Sequence, residues 1–166
     1  FLQGGASLQF DMIPYNFLGD GETAAYLSTG VWANRAIKEA KMFGNVNVLA
    51  SGEDKNYSYL PKGYIIPSDC AYFHCTSNNT IYGTEMFEFP ESPVPMICDM
   101  SSDIFSRPFN AGQFDMIYAG AQKNMGPAGT TLVIIKKSFL ESKQVKRKIP
   151  TMLDYKVHIE NGSMYN

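Results

Sequence analysis

The sequence predicts an α/β fold in which helices cover a largely parallel, mixed sheet. Several short apolar runs are continuous rather than alternating, which is typical of strands buried on both faces of a parallel sheet. Between these runs lie stretches of helix-forming residues with the spacing of an amphipathic helix. The 166 residues suffice for one domain with a substantial core. Because no internal linker divides the chain, we expect a single unit over residues 1–166.

The first half of the chain alternates between helix and strand signals. The pair Gly4 and Gly5 precedes an apolar run with helical spacing, which predicts a turn followed by a helix. The short apolar stretch "TAAYLSTG" predicts a strand that ends before Gly30. Helix formers then follow as far as Gly44, a typical helix stop. Two more strands are predicted at "VNVLAS" and "CAYFHCTSNN", joined by a proline- and tyrosine-rich connection.

The second half contains three continuous apolar runs bounded by turn residues. They predict strands at "MICDMSS", "MIYAGA" and "TTLVIIKK". The basic segment "KKSFLESKQVKRK" that follows predicts a solvated helix and turn rather than a nucleic-acid-binding arm.

Composition and charge exclude several classes of partner. The formal net charge of −2 and the pI near 5.7 provide no long-range attraction for nucleic acid or anionic lipid. The longest apolar runs are too short to span a bilayer, so we expect no membrane association. Cys70, Cys75 and Cys98 lack the spacing of metal or redox sites, as do His74 and His158. We therefore expect no metal, structural histidines and a reducing, cytoplasmic location.

Polar groups with useful chemistry follow the predicted strands. Asp99 ends one apolar strand and Thr80 follows another. Lys123 follows the strand "MIYAGA", inside a glycine-rich run that carries no other charge between Asp115 and Lys136. Ligands of open α/β sheets bind beyond the carboxyl ends of the strands, so these side chains are expected near one site.

The turn "GGAS" adds a candidate anion site, because a helix N-terminus offers unpaired N–H groups and the positive end of the helix dipole. Taken singly, the turn, Asp99, Lys123 and Trp32 are each more often structural than functional. Together they match the needs of pyridoxal phosphate, which requires an amine, a carboxylate, a phosphate cradle and a flat apolar surface.

Four longer motifs resemble the phosphoserine aminotransferase family, which belongs to the fold-type-I pyridoxal phosphate enzymes. They are "QGGASLQF", "CDMSSDIFSRP", "YAGAQKNMGPAG" and "DYKVHIENGSMYN", and the similarity extends along the whole chain. The resemblance implies that residues 1–166 form the large cofactor-binding domain, without an N-terminal segment and a C-terminal small domain.

The resemblance also implies roles for individual residues. Lys123 corresponds to the lysine bound covalently to the cofactor, and Asp99 to the aspartate that pairs with the pyridinium nitrogen. Trp32 corresponds to the aromatic residue stacked on the ring, and Thr80 to the threonine bonded to the phenolic oxygen. The implied phosphate-binding positions are Ala6, Ser7, Gln122 and, for the phosphate of a neighbouring subunit in a homodimer, Asn166. Ser7 stands where some members carry a substrate-binding arginine, so recognition of the substrate phosphate does not carry over there.

The family's reaction transfers an amino group from glutamate to 3-phosphohydroxypyruvate and yields 2-oxoglutarate and phosphoserine, in serine biosynthesis. In many bacteria the family also serves vitamin B6 synthesis. Its substrate-binding histidine and arginine residues lie mostly outside this chain, so we expect the segment alone to be inactive. Two alternatives stay open, namely another fold-type-I enzyme, such as a cysteine desulfurase or a serine–glyoxylate aminotransferase, and a non-catalytic cofactor-binding module.

Overall fold

A seven-stranded sheet forms the centre of the molecule, as seen in a computed structural model that describes residues 1–142 and 145–165. The strand order is β1-β9-β8-β7-β4-β2-β3, and β5 and β6 form a separate two-stranded ribbon. The strands are β1 (Leu2–Gln3), β2 (Thr23–Ser28), β3 (Asn45–Ser51), β4 (Phe73–Thr76), β5 (Asn78–Asn79), β6 (Thr84–Glu85), β7 (Met96–Asp99), β8 (Met116–Gly120) and β9 (Thr130–Ile135). The pairs β3/β2, β2/β4, β4/β7 and β7/β8 are parallel, whereas β8/β9 and β9/β1 are antiparallel. The predicted mixed, mostly parallel sheet is therefore confirmed.

Four α-helices accompany the sheet in the described ranges. They are α1 (Gln9–Phe17), which continues a short 3₁₀ turn at Ala6–Leu8, α2 (Val31–Ala40), α3 (Lys137–Ser142) and α4 (Tyr155–Glu160). The predicted helices after the glycine pair, before Gly44 and in the basic segment are all present. None of these helices is long and apolar enough to cross a membrane.

The central strands are buried on both faces, as their continuous apolar runs predicted. Every residue of β4, β7 and β8 is buried, whereas the edge strand β3 is largely exposed or half-buried. One face packs against α1 and α2 through side chains such as Phe10, Ile13 and Ile37. The opposite face is covered by the long connections, through side chains such as Ile66, Met86 and Phe114. These two cores fix the carboxyl ends of the parallel strands at one edge, where polar side chains emerge.

The antiparallel strands β9 and β1 position the N-terminal glycine turn. Leu2 pairs with Thr131, and the N–H of Gly4 donates to the carbonyl of Gly129 at 2.8 Å. The Thr131 hydroxyl donates back to the carbonyl of Gly4 at 3.0 Å. Gly4 has φ of +91°, a conformation that side chains with a Cβ rarely adopt. The turn is thus held against the sheet, and the N-terminus of the helix that follows it lies near the carboxyl ends of β7 and β8.

Candidate active site

A small cleft, open to solvent, lies at the carboxyl ends of β4, β7 and β8. Its walls combine the glycine turn, the first turn of α2, the ends of three strands and the loop after β8. The lining residues are Gly5, Ala6, Ser7, Phe10, Trp32, Thr76, Asn78, Asp99, Ser101, Ser102, Gln122 and Lys123. Six of the eight positions predicted from the sequence meet here, namely Ala6, Ser7, Trp32, Asp99, Gln122 and Lys123.

Lys123 lies on the loop that follows β8, as its place after an apolar run predicted. Its Nζ atom is 5.8 Å from the centroid of the Trp32 ring. The side chain is exposed to solvent. The amine is accessible to an aldehyde that enters the cleft.

Asp99 is the last residue of β7, and only 6% of its surface is exposed. Its Oδ1 atom accepts hydrogen bonds from the backbone N–H of Ser101 at 2.9 Å and from the Ser101 hydroxyl at 2.7 Å. The Ser101 hydroxyl in turn accepts from the N–H of Gly120 at 3.2 Å. Burial raises the pKa of the Asp99 carboxyl above its ordinary value, while the Ser101 hydrogen bonds and the charge of Lys123 act in the opposite direction. Asp99 is therefore a buried acid whose charge is incompletely compensated by the protein.

This incomplete compensation predicts that Asp99→Asn stabilises the cofactor-free protein at neutral pH. The pKa of Asp99 is higher in the folded protein than its ordinary value of 3.8. The carboxyl therefore contributes to stability at pH values below 3.8, and this contribution is lost as the pH rises through the pKa of the folded state. We expect the free energy of unfolding to increase by about 1 kcal/mol near pH 7, the scale for a poorly paired buried polar group. Denaturant titrations should show the difference shrinking toward pH 4, and a variant less stable at pH 7 would contradict the expectation.

The glycine turn and its helix form one wall of the cleft. Ala6 is buried and Ser7 exposed in the first turn, which leads directly into α1. The first N–H groups of a helix have no intrahelical acceptors, and the helix dipole adds positive potential there. Gln122 lies across the cleft and its side chain folds back over Gly120, where a Cβ would meet Gln122 Oε1 at 2.7 Å. The wall suits an anion such as a phosphate group.

Trp32 lies in the first turn of α2 and is half-buried. The guanidinium carbon of Arg35 is 4.7 Å from the Trp32 ring centroid. The indole therefore lies against two cations, Arg35 and Lys123, and provides the flat surface that an aromatic ligand requires.

Thr80 does not line the cleft. It is exposed on the turn after β5, while the neighbouring Asn79 is anchored to the connection between β2 and α2 through a hydrogen bond from its Nδ2 atom to the Thr29 hydroxyl at 3.1 Å. A Cβ on Gly30 would meet Asn79 Oδ1 at 2.6 Å, so glycine is needed for this approach. The role of Thr80 stays a prediction, and so does that of Asn166, which lies outside the described residues.

Several residues that line the cleft were not anticipated from the sequence as site residues, and two of them, Ser101 and Thr76, contact or pair with Asp99. Ser101 follows Asp99 by two positions, the spacing of an Asx turn, and this pattern could have identified it. Thr76 pairs with Asp99 across β4 and β7, and its buried hydroxyl has no hydrogen-bond partner among the residues described. No local pattern marks Thr76, because its position depends on the register of two separate strands. A ligand in the cleft could supply the missing partner.

No group of three or more metal-binding side chains occurs within residues 1–142 and 145–165. Cys70, Cys75 and Cys98 are buried free thiols. The polar groups that line the cleft are an amine, a carboxylate, hydroxyls, amides and backbone N–H groups.

Comparison with known proteins identifies close relatives of this architecture. The chain matches the family described as aminotransferase class-V over residues 1–156. A phosphoserine aminotransferase from Flavobacterium psychrophilum is 61% identical over 166 residues, which are 100% of this chain and 46% of that protein. The chain spans about half the length of such relatives.

Solved structures agree with this match. The phosphoserine aminotransferase from Bacillus circulans subsp. alkalophilus superimposes with a TM-score of 0.93 and 51% identity, covering 99% of this chain and 46% of that chain. The pyridoxal phosphate-bound phosphoserine aminotransferase from Trichomonas vaginalis gives a TM-score of 0.91 and 41% identity, covering 99% and 47%. The predicted fold, a largely parallel mixed sheet covered by helices as in fold-type-I enzymes, is confirmed by these superpositions. With the family match covering all but the last ten of its 166 residues, the chain belongs to the aminotransferase class-V family.

Proposed function

We propose that residues 1–166 form the cofactor-binding large domain of a phosphoserine aminotransferase. The complete enzyme transfers an amino group from glutamate to 3-phosphohydroxypyruvate, giving 2-oxoglutarate and O-phosphoserine. The observation that carries the proposal is the meeting of Lys123, Asp99, Trp32 and a helix N-terminus in one cleft. The names and the high identity of the relatives support the choice of phosphoserine aminotransferase over other enzymes of the same fold.

The donor groups of the cleft fit pyridoxal phosphate. Lys123 offers an accessible amine, Asp99 a buried carboxylate, and Ala6 and Ser7 a helix N-terminus for the phosphate. The unpartnered Thr76 hydroxyl beside Asp99 also fits a polar ligand. When bound, pyridoxal phosphate supplies an aldehyde for amine chemistry and a ring that accepts electron density from the substrate α-carbon.

The protein groups then have separate tasks. Lys123 would bind the cofactor and, once released, would take the α-proton of the substrate as a general base and deliver it, as a general acid, to the carbon that carried the aldehyde of the cofactor. Asp99 keeps a proton on the ring nitrogen because a buried carboxylate strongly favours a positive partner at close range. Trp32 restricts the orientation of the ring, and Gln122 with the glycine turn holds the phosphate. Thr80, by its correspondence in the family, bonds to the phenolic oxygen.

Replacement of Trp32 should weaken cofactor binding without changing the chemistry. Aromatic pairs contribute about 0.5–1.5 kcal/mol beyond the area that they bury, so we expect Trp32→Ala to raise the cofactor Kd by roughly two- to twelvefold or more. Trp32→Phe retains a ring and should lose less. Equilibrium dialysis of the cofactor-free protein measures both constants, and an unchanged Kd for Trp32→Ala would exclude stacking.

The proposal extends to the assembly and location of the complete protein. We propose a cytoplasmic homodimer in which Asn166 contacts the phosphate held by the neighbouring subunit. Free buried cysteines are consistent with a reducing compartment. A second role in vitamin B6 synthesis, through the related phosphohydroxythreonine step, is part of the same proposal.

The reaction is tested by supplying the complete protein, saturated with pyridoxal phosphate, with amino donors and acceptors in parallel. Formation of phosphoserine from glutamate and 3-phosphohydroxypyruvate should exceed formation of glycine from serine and glyoxylate by orders of magnitude. Release of sulfur from cysteine should be absent. Preferred turnover of serine with glyoxylate, or of cysteine, would overturn the substrate assignment, and a protein that binds the cofactor but turns over none of these would be a non-catalytic module.

A further inference from the structure

A row of buried polar rings lies on the helix-covered face of the sheet, directly behind Asp99. Tyr118 is the partner of Asp99 across the parallel pair β7/β8. The Tyr118 hydroxyl is 2.9 Å from Nε2 of His74 on β4. The ring of Tyr26 on β2 stacks on His74, with centroids 4.8 Å apart and an interplanar angle of 24°. His74 and Tyr118 are fully enclosed, with 1% and 0% of their surfaces exposed.

The hydrogen-bonding partners of His74 determine which ring in this row donates a hydrogen bond and which accepts it. Its Nδ1 atom is buried and has no partner in the part of the chain that the structure describes. A proton on Nδ1 would leave an N–H donor unpaired, which is rarer in proteins than an unpaired acceptor. We therefore assign the proton to Nε2, so that His74 donates to the Tyr118 oxygen. The Tyr118 hydroxyl proton is then free to point toward Asp99.

The protonation states of both rings support this direction. Burial lowers the pKa of His74 to about 3, so the imidazole is neutral at physiological pH. Burial and the nearby charge of Asp99 raise the pKa of Tyr118, which keeps the phenol protonated. Tyr118, the neighbour of Asp99 across β7 and β8, is one of the groups that lower the pKa of Asp99. Lys123 and Asp103 are the charged groups that also act on Asp99, with opposite signs.

We infer that Tyr118 and His74 are positioning residues that hold Asp99 as an anion, through a directed chain from His74 Nε2–H to the Tyr118 oxygen and from the Tyr118 O–H to the carboxylate. Neither residue lines the cleft, so neither touches the ligand. The chain offsets part of the cost of burying Asp99 and directs its charge toward the cleft. This inference rests on the proposed role of Asp99 but concerns the acidity of Asp99 itself, which is measurable without the cofactor.

The decisive experiment measures the pKa of Asp99 in the complete, cofactor-free protein. Aspartate labelled with ¹³C at the carboxyl group is incorporated, and the Asp99 signal is assigned by its loss in Asp99→Asn. Tyr118→Phe should raise the pKa of Asp99, because a hydrogen bond to the charged carboxylate is lost. The expected change corresponds to a roughly tenfold higher affinity of the carboxylate for its proton. Tyr72→Phe is the matched control, because it removes a buried hydroxyl that bonds to Tyr26 and not to this chain.

Variants of His74 distinguish an effect of the hydrogen-bond chain from an effect of side-chain packing. His74→Gln retains an N–H donor near the position of Nε2 and should leave the pKa of Asp99 close to the wild-type value. His74→Met fills the same space without a donor and should raise it. An unchanged pKa in both Tyr118→Phe and His74→Met, or an equal rise in Tyr72→Phe, would overturn the inference. Should Asp99→Asn retain full turnover while these shifts occur, the chain would stand and the proposed function of Asp99 would fail.

Discussion

Lys123→Ala should abolish covalent attachment of pyridoxal phosphate and reduce turnover of the complete enzyme by roughly 10⁴–10⁶-fold, since both a nucleophile and a general base are lost. The cleft contains no second lysine among the residues that line it, so no neighbouring amine can substitute. Cofactor binding should persist at lower affinity, because Trp32, Asp99 and the glycine turn remain. The visible absorbance should shift toward that of free cofactor.

Borohydride reduction followed by peptide mapping locates the attachment site. In the wild-type protein the pyridoxyl group should appear only on the peptide that contains Lys123. Lys136→Ala is the control, because Lys136 pairs with Asp115 at 3.2 Å away from the cleft. Label on Lys136 or on any other lysine would refute the assignment.

Asp99→Asn should lower turnover by at least roughly ten- to a hundredfold, the equivalent of about 1.5–3 kcal/mol for one charge-assisted hydrogen bond. Loss of the protonated ring nitrogen should add to this, because electron density from the substrate then has no positive centre to enter. The amide has nearly the same shape as the carboxylate and can still accept from Ser101. Cofactor affinity should therefore change much less than turnover.

Asp115→Asn provides the comparison. Asp115 immediately precedes β8, at the opposite end of that strand from Lys123, and its carboxylate accepts from the N–H of Met96 at 2.9 Å. Its replacement should reduce stability while leaving turnover per folded molecule unchanged. Wild-type turnover in Asp99→Asn, measured on protein saturated with cofactor, would remove the aspartate from the mechanism.

The central strands were predictable because a strand that is buried on both faces has a continuous run of apolar residues in the sequence. Each of β2, β7 and β8 coincides with a continuous apolar run. The antiparallel pairing of β1 with β9 was not predictable, because β1 contains only two residues and gains its structure from a partner distant in the chain. The short ribbon β5/β6 escaped prediction for the same reason.

The site was predictable only where one residue's position follows from its own strand. Asp99 and Lys123 come directly after apolar runs, so the carboxyl-end rule places them together. Thr76, Tyr118 and His74 depend on which strands are neighbours and in what register, which no local pattern encodes. Thr80 shows the converse, since a strand-end position did not bring it to the cleft wall.

The hydrogen bond between Thr131 and Gly4 spans 127 residues of chain and has a consequence for the order of folding. Closing a flexible loop of this length costs on the order of 4 kcal/mol of entropy, and non-local contacts of this kind form late. During synthesis the glycine turn is made before β9, yet it reaches its position only after β9 has emerged and paired. Separation of β1 from β9 would remove the wall of the cleft that the glycine turn forms, while the parallel strands stay intact. A bound phosphate that contacts both the turn after β1 and Gln122, on the loop before β9, would help to keep β1 paired with β9.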